Sequence, residues 1–193
     1  MGRAAVGLVL VVAAAANGAI TRAQSGDPST TLGASRSTSL GAGPGFLRRN
    51  FSPVTYLKAS NPRPDAKLGF GSALTGRTLV MSRDGNTLAV AAPDEGSAAT
   101  GINGNQKDDS ANEAGAAYLF VRTGTTWQQQ AYIKGSNTEA YDEFGSSLAL
   151  DRSGRTLVIS ARGEDGGGRG EGGKQSDNSV DEAGAVYVFH VTR

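Results

Sequence analysis

The feature that most constrains this chain is that, from Tyr56 onward, it is written twice. One copy opens with YLKASN, Tyr56 to Asn61, and the other with YIKGSN, Tyr132 to Asn137. TLAVAA (Thr87 to Ala92) is answered by TLVISA (Thr156 to Ala161), and EAGAAYLF (Glu113 to Phe120) by EAGAVYVF (Glu182 to Phe189). The offset is 76 residues at the first landmark and 69 at the other two, so the first copy carries seven extra residues between Asn61 and Thr75. From Thr75 the copies align without a gap to the C-terminus, with 20 identities in 50 pairs. A period of about 70 residues built from short apolar runs reads as stacked β-blades, each burying its apolar face against the next.

Local patterns agree. GSSLALD and TLVISA are short, β-branched apolar runs around a turn at Arg152-Ser153-Gly154-Arg155. The matching turn, Arg83-Asp84-Gly85-Asn86, contains Asp-Gly, a strong hairpin signal. WQQQAYIK, Trp127 to Lys134, is a further strand after a turn at Thr123 to Thr126. GAVYVFHVT sets Val186, Val188 and His190 on one face and Tyr187, Phe189 and Val191 on the other, the pattern of a strand packed between neighbouring sheets. No stretch after Tyr56 shows a 3.6-residue apolar period, so the expected fold class is all-β, with about four antiparallel strands per copy.

Composition narrows the chemistry. Glycine, at 28 residues with no collagen-like period, points to loops and tight turns. A net charge of +1 excludes a generally basic nucleic-acid binder and a strongly acidic chain. With no cysteine there is no disulfide framework, thiolate metal site, cysteine nucleophile or lipid-anchored cysteine, and one histidine excludes a multi-histidine metal site.

The N-terminus reads as an export signal. Arg3 precedes an unbroken apolar run from Ala4 to Ala16, too short to span a bilayer and the right length for a signal-peptide core. Thr21-Arg22-Ala23 offers a small-x-small cleavage site before Gln24. Residues 1–23 are thus expected to be removed, leaving a secreted, periplasmic or cell-surface chain with no membrane span. Residues 24–52, rich in Ser, Thr, Gly and Pro, read as a disordered linker. The Arg48-Arg49 pair within it could serve as a processing site, but two arginines in a linker more often serve only solubility. The expected domains are then 53–131, a first blade, and 132–193, a second and truncated one.

The landmarks resemble the FG-GAP repeat family, the blades of the integrin α-chain β-propeller and its bacterial relatives. Asp142 to Leu150 (DEFGSSLAL) is similar to the family's opening strand. Asp84 to Val90 (DGNTLAV) and Ser153 to Ile159 (SGRTLVI) are similar to its hairpin, and Ala91-Ala92-Pro93 stands where the family has Gly-Ala-Pro. Thr100 to Gln106 and the G-A-x-Y-x-F strand also resemble the bacterial branch. The resemblance covers residues 53–193 and implies an incomplete propeller with a contact surface. Departures are plain. Phe70-Gly71 does not align with Phe144-Gly145, whose place Thr75-Gly76 takes, and Ser160-Ala161-Arg162 replaces Gly-Ala-Pro. Family blades often bind Ca²⁺ through a D-x-D-x-D-G loop, a spacing neither copy has, so no metal or cofactor residue is carried over.

Closed propellers have roughly 4–8 blades, and the two copies supply one blade and most of another. An open apolar face is therefore expected. It would be closed by self-association into a ring or by docking on a longer propeller chain, or left open in a marginally stable remnant. The segment Pro53 to Ser60 is read as a strand that precedes the first copy and is available to complete a blade in trans.

Candidate chemistry is sparse. The acidic positions are Asp94-Glu95, Asp108-Asp109 with Glu113, Asp142-Glu143, Glu164-Asp165, Asp177 and Asp181-Glu182. The loop from Asp94 to Glu113 could gather carboxylates around Ca²⁺; the favoured reading is a solvated loop, its charges interspersed with Lys107 and glycine. Gly163 to Gly173 precedes no helix and lacks G-K-[ST], so it reads as a floppy connection rather than a phosphate loop. His190 is the one imidazole available to a catalytic triad and has no nucleophile motif near it. Trp127, Tyr118, Tyr132 and Tyr187 could stack sugars or bases, but aromatics at blade positions are more often core. Arg162-Gly163-Glu164 is not an RGD adhesion ligand. The expected function is a non-enzymatic module that binds a protein or glycan through loops at one rim. A self-associating or degenerate structural fragment is the alternative, and a calcium-dependent or hydrolytic enzyme the third reading.

Overall fold

A computed structural model describes residues 55–71 and 76–192, so the export signal and the linker expected over 1–52 lie outside the described residues. The described chain is all-β, in two antiparallel sheets. The first holds β1 (Leu79–Met81), β2 (Thr87–Ala92), β3 (Ala116–Thr123) and β4 (Thr126–Ile133), hydrogen-bonded in chain order. The second holds β5 (Phe144–Leu150), β6 (Thr156–Ala161) and β7 (Ala185–His190), again in chain order. The repeat registers match: Leu88 faces Phe120 and Tyr118 faces Val90 in one sheet, Leu157 faces Phe189 and Tyr187 faces Ile159 in the other.

Each hairpin turn follows from its side chains. In the first copy Ser82 Oγ accepts the Thr87 N–H at 3.0 Å and Asp84 Oδ1 accepts the Asn86 N–H at 3.0 Å. In the second copy the two residue types exchange position, and the aspartate takes both accepting roles while Ser153 donates to it. Asp151, standing where Ser82 does, accepts the Ser153 hydroxyl at 2.5 Å and the Thr156 and Arg155 N–H groups at 2.8 and 2.6 Å, and these bonds, the hydroxyl's first, hold its carboxyl well below the usual range. A Ser/Asp pair two residues apart thus closes the same turn in either order.

The core lies between the sheets. Ala89, Ala91, Ala117, Leu119 and Ile133 from the first sheet pack on Phe144, Leu148, Leu157, Ile159 and Ala161 from the second. Small residues on one side and large ones on the other let the sheets close on each other. Phe144 stands edge-on to Tyr187, ring centroids 5.3 Å apart. The other face of the first sheet carries Leu88, Val90, Ala92, Ala116, Tyr118, Phe120 and Tyr132, with Leu57, Ala59, Leu68 and Trp127 packed against it.

Three details differ from the sequence reading. The opening strand of the first copy is only β1, because its Phe-Gly is displaced: Phe70 is half exposed, whereas Phe144 is buried in the core. Residues 55–60 form no strand; Leu57 and Ala59 lie on the first sheet's outer face instead. And β7 is covered on one face only. Tyr187, Phe189 and Val191 pack on the core, but Val186 and Val188 are 66% and 68% exposed. Among the described residues the second sheet therefore has three strands, with β7 as an open edge.

Candidate functional site

Antiparallel order puts the short turns 82–87, 123–126 and 151–156 at one end of the sheets. The long connections 93–115 and 162–184, with the crossing 134–143, share the other rim. Each long loop is held from beneath by a buried glutamate, in the same place in both copies.

In the first copy Glu95 is fully buried and accepts four donors. Asn61 Nδ2 lies at 2.9 Å, the Ser97 N–H at 3.1 Å, and Tyr132 Oη and Lys134 Nζ at 3.0 Å each. Asn61 Nδ2 also donates to the Gln106 carbonyl, and Asn61 Oδ1 accepts the Tyr118 hydroxyl at 2.7 Å. Lys134 is fully buried too, and burial pushes its ammonium below the ordinary lysine range against the pull of Glu95. Burial, reinforced by the Glu95 charge, raises the Tyr118 phenol; burial likewise raises that of Tyr132. Both phenols thus remain neutral donors at physiological pH.

The second copy repeats half of this arrangement. Glu164, also buried, accepts Asn137 Nδ2 at 2.6 Å and the Gly166 N–H at 3.0 Å. Asn137 Nδ2 reaches the Gln175 carbonyl at 3.1 Å, and Asn137 Oδ1 accepts the Tyr187 hydroxyl at 2.6 Å. No tyrosine or lysine corresponding to Tyr132 and Lys134 is bound to Glu164 among the described residues. The reason lies in the phase of the repeat: Tyr132 and Lys134 belong to the sequence landmark that opens the next copy.

The solvated-loop expectation for Asp94 to Glu113 therefore needs correcting at Glu95, and the floppy-connection expectation for Gly163 to Gly173 at Glu164; both are buried structural acceptors. The other carboxylates are dispersed. Asp94 pairs with Lys67 at 2.6 Å, Asp109 with Arg63 at 2.7 Å, and Glu143 with Arg162. Asp108 accepts the Ala98 N–H at 2.5 Å. Asp142 is buried and accepts the Glu139 N–H at 2.7 Å; burial raises its carboxyl to about 6. Among the described residues no three acidic or histidine side chains are grouped so as to hold a metal ion.

His190 is exposed, on the open face of β7 opposite Thr156. Tyr118 and Tyr132 lie in the core with ring centroids 5.4 Å apart, and Trp127 is flanked by the Arg122 guanidinium at 5.6 Å, so these aromatics form no open stacking platform. Among its exposed side chains the rim presents three large apolar ones: Ile102, Tyr141 and Val180 are 59%, 60% and 49% exposed, one on each of its three connections. Sequence reasoning assigned no role to Asn61, Asn137, Gln106 or Gln175. Their signal was available, since each pair, like Glu95 and Glu164, is identical under the repeat alignment.

The family model for the FG-GAP repeat matches residues 127–189, from β4 to β7. No curated protein and no solved structure matches the chain. Over those residues the chain is similar to the FG-GAP repeat, and its two antiparallel sheets of four and three strands are consistent with partial blades of the β-propeller type. No helix among the described residues is long and apolar enough to cross a membrane.

Proposed function

We propose that this FG-GAP repeat chain is an exported, non-enzymatic binding module whose long-loop rim contacts a protein or glycan. The observation that carries the reading is the rim itself. Two long loops are pinned by buried glutamates, while Ile102, Tyr141 and Val180 are left in solvent above them. Holding such side chains outward from a rigid base suits recognition, because little ordering entropy is lost on contact. Among the described residues the carboxylates are dispersed and His190 stands on the open face of β7 away from them, which supports a contact surface over a reaction centre. Export rests on the Ala4–Ala16 run, and sequencing of the secreted chain is expected to begin at Gln24.

The test is binding of the purified chain to an array of glycans and extracellular matrix proteins. It is run beside the triple variant Ile102→Ser, Tyr141→Ser, Val180→Ser. A ligand whose affinity falls at least tenfold in the variant, with the melting temperature unchanged, supports the reading. No ligand at about 100 µM chain, well above the Kd of ordinary specific contacts, or equal binding by the variant, overturns it.

A further inference from the structure

The two copies differ in what covers them, and the difference has a definite shape. On the first sheet's inner face Ala89, Ala117 and Leu119 are buried under the second sheet. Their counterparts at the 69-residue offset, Val158, Val186 and Val188, face away from the core, and the last two are among the most exposed large apolar residues described. In the first sheet β4 pairs with β3, Ala117 opposite Ile133 and Tyr118 opposite Tyr132. Beyond β7 there is instead a groove of about 670 Å³ whose lining includes Glu164, Gly170, Gly172, Val186, Tyr187 and Val188.

The loop that walls this groove is already shaped for a strand. Gly101, which exchanges backbone hydrogen bonds with Lys134 and Gly135, has φ +68°, and its counterpart Gly170 has φ +73°. Asn103, whose N–H donates to the Tyr132 carbonyl, has φ +56°, and its counterpart Gly172 has φ +66°. Glu164 stands where Glu95 receives a tyrosine hydroxyl and a lysine ammonium.

The chain holds one further segment with that pattern. Tyr56, Leu57 and Lys58 correspond at the 76-residue offset to Tyr132, Ile133 and Lys134. Tyr56 is 84% exposed, and the segment forms no ladder. Within one molecule it does not lie near β7. Leu57 and Ala59 lie on the outer face of the first sheet, while the second sheet packs on the opposite face.

We propose that Thr55 to Lys58 of one copy of this chain pairs as the fourth strand on β7 of a second copy, with Tyr56 Oη and Lys58 Nζ on the buried Glu164 carboxylate. The register carried over from the first sheet sets Leu57 opposite Val186, Tyr56 opposite Tyr187 and Thr55 opposite Val188. The outer face of the incoming copy's first sheet then covers Val158, Val186 and Val188, as the second sheet covers Ala89, Ala117 and Leu119 within one chain. Charge favours this occupant, an ammonium brought to a buried carboxylate. The contact is head to tail, so it repeats from copy to copy, giving a ring where the rotation between copies closes and a filament where it does not. The inference goes beyond the rim-binding reading and does not depend on it.

The chain has no cysteine, which allows a clean test. Thr55→Cys and Val188→Cys are made separately, both at exposed positions, and mixed under mild oxidation. Directly opposed strand residues lie within disulfide reach. The mixture is expected to give disulfide-linked dimers that neither variant gives alone. Light scattering on the unmodified chain is expected to show an oligomer, and Tyr56→Ala and Lys58→Glu are each expected to reduce it to monomer with unchanged circular dichroism. A chain that stays monomeric at about 100 µM and gives no cross-link overturns the proposal. So does a disulfide at monomer mass in the Thr55→Cys/Val188→Cys double variant, which would place the chain's own segment on β7. An oligomer indifferent to Tyr56→Ala and Lys58→Glu overturns it as well, by assigning assembly to another face. Rim binding that persists in the monomeric variants would leave the functional reading standing.

Discussion

Removing the Glu95 carboxylate tests the asymmetry between the two copies most directly. Glu95→Ala strands the Lys134 ammonium, which is fully buried and has that carboxylate as its ion-pair partner at 3.0 Å. Breaking a buried pair from one side costs about 3–5 kcal/mol, and the Tyr132 hydroxyl, Asn61 amide and Ser97 N–H lose an acceptor together with it. Glu164→Ala strands no ammonium, only the Asn137 amide and the Gly166 N–H, so it should cost about 1–3 kcal/mol. Urea unfolding monitored by circular dichroism, at a concentration low enough to keep the chain monomeric, reads both. With a slope of about 2 kcal/mol per molar urea, the midpoints should fall by about 2 M and 1 M. A loss of the larger size can consume most of a domain's total stability, so the double variant Glu95→Leu/Lys134→Met serves as a second readout. With the ammonium gone, it should recover about half of the deficit. The deficit of Glu95→Ala should also shrink as pH rises toward 10. Burial alone then holds the Lys134 pKa below that of the unfolded chain, and such a group destabilises the fold progressively as pH falls below 10.5. Equal losses from Glu95→Ala and Glu164→Ala, within about 0.5 kcal/mol, would refute the reasoning, because they would show that the ammonium adds nothing to the lock.

Two further outcomes follow from the same contrast and from Asp142. A Cβ added at Gly115 would lie 2.2 Å from the Phe144 carbonyl oxygen and 2.4 Å from its nitrogen, at φ +80°, so Gly115→Ala should abolish the cooperative thermal transition. At the equivalent Gly184 the nearest atom is 3.5 Å away and only the φ of +72° is unfavourable, so Gly184→Ala should cost about 1–2 kcal/mol in the monomer. Asp142, raised to about 6 by burial, binds its proton more tightly folded than unfolded. Its unfavourable contribution is thus complete above pH 6 and is relieved as pH falls toward 4. Asp142→Asn should raise stability at pH 7 by about 1–2 kcal/mol after allowance for partial solvent screening. The gain should disappear at pH 4 when melting curves of the two proteins are compared.

The sheets were legible in the sequence because strand signals are local. TLAVAA and TLVISA coincide with β2 and β6, and the Asp-Gly and Ser-Gly turns fall where their glycines place them. The glutamates were not legible as core. Glu164 sits in a glycine-rich run that reads as solvent-facing, and its burial depends on Asn137, 27 residues earlier in the chain. Glu95 depends on Lys134, 39 residues later. A local reading takes such a charge as exposed, since its side-chain partners stand tens of residues away in the chain and meet it only in the folded blade. The length of β1 was hidden for a similar reason. The seven extra residues shift Phe70 out of register, and only the packed sheets show that Phe144 alone fills the core position.

The sequence unit and the sheet are out of phase by one strand: β4, which completes the first sheet, carries in Tyr132 and Ile133 the opening of the second unit. Gene duplication in such a chain is unusually forgiving. Any whole unit spliced in brings a closing strand for the blade before it and requires one from whatever comes after, so the seam between units keeps the same chemistry however many there are. The same phase leaves a single unit without, inside itself, the tyrosine and lysine that Glu95 receives.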